Sequence, residues 1–133
     1  MNFVDIITQL REDPTKLGLT RSYAAVSGFL LGLEVAGLSA MSGFTEWLIP
    51  RVSGPNNYPW EKLVVKFALG ENRASRIRID PIGAEEEEQA LTALFDLLSE
   101  FTADKARGPF PLRRIYSRYQ TWMEQQEWYV GEG

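Results

Sequence analysis

Apolar residues recur along this chain at i, i+3, i+4 and i+7, and strict alternation appears only briefly, so the pattern predicts helices rather than strands. Phe3, Ile6, Ile7 and Leu10 mark a first helix over residues 2 to 11, which Pro14 stops. After Ser42, a capping residue, Phe44, Trp47 and Leu48 form the face of a second segment that Pro50 should bend or end. Trp60, Leu63, Val64 and Phe67 mark another helix, opened by Pro59 at its first position and closed by Gly70. The longest stripe runs from Glu85 to about Ala103, with Leu91, Leu94, Phe95, Leu98 and Phe101 on one side. A last helix, from about Leu112 to Gln126, carries Leu112, Ile115, Tyr116, Tyr119, Trp122 and Met123 on one face and Arg113, Arg114 and Arg118 on the other. Trp128, Tyr129 and Val130 continue apolar beyond it, so this tail either docks back or presents a patch.

One run is apolar nearly all round. Arg21 to Gly37, RSYAAVSGFLLGLEVAG, leaves almost no polar face, which predicts a helix at the centre of the core. Thr20 or Ser22 is placed to cap it and Gly37 to end it in the left-handed conformation. Gly28 and Gly32, four apart, would admit a neighbouring helix closely. The expected architecture is therefore a single all-α domain spanning residues 1 to 133, a bundle of five or six helices around a buried central helix at 21–37. Residues 71 to 83 are the exception, because Arg76-Ile77-Arg78-Ile79 alternates with period two. Lacking a partner strand, this part is expected to be a short extended connector at about 75–80.

At 133 residues, 44% of them apolar, the chain can bury a core without covalent help. It has neither cysteine nor histidine, which removes thiol nucleophiles, zinc–thiolate sites and the commonest general base and metal ligand. The net charge of −4 disfavours nucleic acid as a partner and suits a basic protein instead. MNFVDIITQL has Asp5 within its apolar run and no basic leader, and the Arg21–Gly37 run is short and contains Glu34. A cytoplasmic protein that spans no membrane is expected.

Candidate chemistry is sparse. Glu34 is the carboxylate embedded in the apolar run; burial would qualify it as an acid or base, whereas an ion pair with Arg21 or Arg51 would explain it structurally. Glu46 and Glu61, beside Trp47 and Trp60, suggest paired glycosidase carboxylates, but that reaction needs a fixed separation and a solvated helix face accounts for both. Arg73, Arg76 and Arg78 with Arg107, Arg113, Arg114 and Arg118 would make a basic patch if the connector and the last helix lay together. Glu85, Glu86, Glu87 and Glu88 either steer a basic partner or complement the helix dipole. No phosphate loop, dinucleotide glycine pattern or nucleophile elbow is present. No catalytic residue, cofactor or metal is expected.

The order of elements resembles a known group. A short helix, the turn Pro14-Thr15-Lys16-Leu17-Gly18, a helix with Phe29-Leu30-Leu31-Gly32 followed by Ala36, the segment Phe44-Thr45-Glu46-Trp47-Leu48, a Trp60-led helix, and an acidic helix ending Leu94-Phe95-Asp96-Leu97-Leu98-Ser99-Glu100-Phe101 are similar, over about residues 1–103, to small uncharacterised bacterial proteins that look like immunity proteins of polymorphic toxin systems. In that group the first turn usually reads Arg-Pro-Gly-Met-Tyr-Leu-Gly; here it is Glu12-Asp13-Pro14-Thr15-Lys16-Leu17-Gly18, and residues 71 to 83 look like an insertion. The resemblance implies a non-enzymatic protein that binds and neutralises a cognate toxin domain. The expected contact surface combines Glu46 and the SGPNNY loop, with Asn56, Asn57 and Tyr58, with Glu85 to Glu88. A small adaptor or assembly subunit binding through its aromatic C-terminal helix is the alternative, and an enzyme built on Glu34 and an arginine is a third reading.

Overall fold

A 22-residue helix, Ala84–Lys105, runs through the middle of the protein and meets most of the other helices. The computed structural model describes residues 2–77 and 79–130. In chain order the helices are α1 (Phe3–Glu12), α2 (Tyr23–Val35), α3 (Phe44–Val52), α4 (Trp60–Leu69), α5 (Glu71–Ser75), α6 (Ala84–Lys105) and α7 (Pro111–Glu124), with 3-10 turns at Pro14–Leu17 and Ser39–Met41. The protein is all-α, and no strand occurs among the described residues. The helices number seven there, more than the five or six expected.

Local chemistry explains the boundaries. Asn2 and Asp5 cap α1 reciprocally, Asp5 N–H donating to Asn2 Oδ1 at 2.9 Å. Ser22 Oγ accepts from Ala25 N–H at 3.1 Å to start α2. At its other end Gly37 has φ +94°, and the amides of Gly37 and Leu38 reach back to the carbonyls of Glu34 and Leu33. Pro50 does not end α3, which continues to Val52.

The centre of the core is not where the hydropathy pattern puts it. Only Tyr23, Val26, Ser27 and Leu30 of α2 are buried, and Val35 is 86% exposed. No neighbour lies within 4 Å of a Cβ placed at Gly28 or Gly32, so no helix uses that face for close approach. The outer face of α2 is built partly from Ala24, Gly28 and Gly32, which read as apolar but offer little area to bury. The core instead forms on α6, where Leu91, Leu94, Phe95, Leu98 and Phe101 are all buried, with α1, α2, α4 and α7 around it. Phe44, Trp47, Trp60 and Phe101 interlock at one end, with the Phe44 and Phe101 ring centroids 5.0 Å apart.

Two smaller expectations also change. Phe67 is 55% exposed, and Val65 takes the buried place instead. Where an extended connector was expected at 75–80, α5 turns once to Ser75 and residues 76 and 77 form a turn; Arg78 lies outside the described residues. The tail both docks back and presents apolar surface: Trp128 meets Trp122 edge-on at 6.2 Å and Gln120 donates to the Tyr129 hydroxyl at 3.3 Å, yet Trp128 stays 54% and Val130 90% exposed. No single helix among the described residues is long and apolar enough to cross a membrane.

Candidate functional site

A concavity of about 680 Å³ opens between the start of α2, the segment 57–62 leading into α4, and a wall of Ile77, Pro81, Ile82 and Glu87. Each wall is tied down. Tyr23 is buried and its hydroxyl donates to the Glu61 carbonyl, fastening α2 to α4. Burial, reinforced by the Glu61 charge, pushes the Tyr23 phenol well above its usual range, so it stays a donor. The Tyr58 hydroxyl donates to Glu71 Oε1 at 2.7 Å, and the Lys62 ammonium sits 4.0 Å from the Tyr58 ring centroid. The Lys66 ammonium donates to the carbonyls of Val52, at 2.9 Å, and Gly54, fixing the root of the 53–58 loop.

The opposite wall depends on Arg73. Its guanidinium donates to both Glu86 oxygens, at 2.6 and 3.0 Å, and to the carbonyls of Asp80 and Pro81. Glu86 also accepts from Gly83 N–H at 3.1 Å, closing the cap of α6. The Arg73 bond and the Gly83 cap hold the Glu86 carboxyl down at about 2. Ile77, Pro81 and Ile82 form the apolar part of the cleft on this side.

Of the residues expected from sequence to meet a partner, the fold gathers three here: Asn57, Tyr58 and Glu87 line the cleft. Asn56 is exposed in the same loop, and Glu85 is exposed in the first turn of α6. Glu86 is committed to Arg73, and Glu88 pairs with Arg21 at 3.1 Å. Glu46 is not part of this site. It lies half-buried on α3 in a separate groove against α7, with Pro50, Arg51, Ile115 and Arg118. Sequence reasoning missed Tyr23 and Glu61 as cleft residues, the first because it read as core and the second because it read as a solvated helix position. Glu61 Oε2 is buried and accepts no hydrogen bond from the described residues.

The other candidates resolve differently. Arg21 pairs with Glu88, and Arg51 reaches Glu100 at 3.5 Å while its guanidinium covers the Trp47 ring at 4.0 Å, so neither serves Glu34. Burial raises the Glu34 carboxyl, helped by the charges of Glu61 and Glu46 and partly opposed by the Trp60 indole, which lies close by but outside hydrogen-bonding geometry. The single basic patch does not form. Arg73 is bound at the first turn of α6 and Arg114 and Arg118 at Asp104 near its last, about 27 Å apart along the helix. Among the described residues no group of three or more carboxylates is disposed to hold a metal ion. Comparison with protein-family models, with curated proteins and with solved structures finds no match.

Proposed function

We propose that this chain is a non-enzymatic protein-binding protein, an immunity protein that occludes a cognate bacterial toxin domain in the cytoplasm. The observation that supports this most is the cleft rim: Asn57, Tyr58 and Glu87 stand together on walls braced by Arg73, Lys66 and Tyr23. Neither Glu85 nor Glu87 forms an ion pair among the described residues. A rigid, acidic, partly aromatic rim suits capture of a basic surface, because preformed contacts lose little entropy on binding. The test is co-purification with the protein encoded beside it, followed by calorimetry of the pair. The expected result is a one-to-one complex of nanomolar affinity, about −12 kcal/mol, weakened when Glu85 and Glu87 are both changed to lysine. Absence of a complex with that neighbour sinks the reading.

A second reading, an adaptor binding through its C-terminal segment, draws on the exposure of Tyr116, Trp128 and Val130. Truncation after Phe110 is a poor test, since Ile115 is buried against α3 and Trp122 packs on Gly54. Changing Trp128 and Val130 to aspartate leaves that packing in place and should abolish self-association or partner capture if the tail is the docking surface.

A further inference from the structure

At the far end of α6 from the cleft, the chain gathers positive charge around a single carboxylate. Arg107, Arg113, Arg114 and Arg118 line an open cavity of about 550 Å³ with Asp104 and Ser117. The Asp104 carboxylate lies 2.7 Å from Arg118, 3.4 Å from Arg114 and 4.0 Å from Arg107. One negative charge against three leaves an excess of two, before Arg113 is counted. Lys105 does not belong to the group, because its ammonium is turned toward the carbonyls of Ser39, Ala40 and Ser42.

We propose that this corner is an oxyanion site that takes a compact phosphate group, either inorganic phosphate or the terminal phosphate of a phosphomonoester. Three features favour that ligand. Arg114 and Arg118 are positioned before anything binds, since Asp104, which accepts from both, is only 4% exposed and is itself held by the Trp47 indole at 2.8 Å. Asp104 is thus a positioning residue that aims Arg114 and Arg118 into the cavity. Second, a dianion matches the uncompensated charge, whereas a carboxylate would leave some of it, and planar guanidiniums suit phosphate oxygens. Third, the chain's net charge of −4 and the glutamates at the other end of α6 disfavour a long polyanion. Arg107 and Arg113 are the exposed arms: the Arg107 side chain is 75% exposed, and Arg113 rests over the exposed Phe110 ring at 4.9 Å.

The experiment is calorimetry of the full chain at low salt with inorganic phosphate, phenyl phosphate and acetate. Saturable one-to-one binding of a phosphate and none of acetate is expected. The Arg107→Gln/Arg113→Gln double variant should bind about tenfold or more weakly with an unchanged thermal midpoint, because neither arm is needed to hold Asp104. Arg107→Gln alone, with part of that loss, serves if the double variant unfolds. Tighter binding of phenyl phosphate identifies an organic phosphomonoester that uses Phe110, and equal binding identifies free phosphate. No saturation by millimolar phosphate, equal binding of acetate, or undiminished binding by the folded variants overturns the proposal.

Discussion

Trp47 donates its indole N–H to Asp104 Oδ2 at 2.8 Å, joining α3 to the last turn of α6 inside the core. Burial alone would raise the Asp104 carboxyl, but its bonds from Arg118 and Trp47 outweigh that and hold it below its ordinary value. The same carboxylate receives Arg114 and Arg118, so one side chain ties three helices. Trp47→Phe keeps the ring and removes the donor, and should cost about 2 kcal/mol in urea unfolding. Asp104→Ala also strands two guanidiniums and should cost about 3 kcal/mol or more.

The pH dependence should have two opposed parts. A carboxyl held down in the fold, as Glu86 is at about 2, stabilises fully above its ordinary value near 4.5 and loses that contribution as pH falls between the two. Glu34 has the opposite sign. Its raised carboxyl keeps a proton that the unfolded chain has released, so stability declines as pH rises from 4.5 through the folded value. Glu34→Gln should therefore unfold at higher urea than the parent near neutrality, with the gain vanishing below pH 4.5. An equal gain at both pH values would mean that the charge of Glu34 is not the cause.

Gly54 and Gly28 make a controlled pair. Gly54 has φ +66°, and a Cβ there would stand 2.8 Å from the Trp122 ring, so alanine is strained and also pushes α7 off the loop root. Gly54→Ala should destabilise by about 1–3 kcal/mol. Gly28 is helical with nothing within 4 Å, and Gly28→Ala should stabilise by about 0.5–1 kcal/mol. Thermal denaturation of the two variants reads both signs.

Much of the fold was visible in the sequence because it rests on local chemistry. The α1 and α6 stripes, the Ser22 cap and the Gly37 stop depend on residues within a turn or two of one another, and Pro59 is misplaced by only one position, standing as the extended residue before α4 rather than its first helical one. What was hidden depends on distant pairing. Asp104 falls just past the expected end of the acidic helix and drew no notice, because its partners are Trp47, far earlier in the chain, and arginines on the next helix. Glu86 and Glu88 read as free acids, yet Arg73 and Arg21 claim them. Asn57, Tyr58 and Glu87 were legible as loop and charge, but that they share a cleft follows only from α4 packing against α6.

The misplaced centre yields the last prediction. Hydropathy counts alanine as apolar without regard to its small area, so α2 outranks α6 on pattern although four of its residues are buried against nine in α6. Stability should follow area instead. Leu94→Ala in α6 removes a fully buried side chain surrounded by other helices, and should cost about 3–5 kcal/mol. Leu30→Ala removes the same atoms from α2, where Leu30 is also fully buried but only Tyr23, Val26 and Ser27 of the same helix are buried with it, and should cost about 2–4 kcal/mol. Val35→Lys should be close to neutral, because Val35 is 86% exposed at the end of that helix. Urea unfolding of the three variants orders them, and a Val35→Lys loss comparable with that of Leu94→Ala would return the centre of the core to α2.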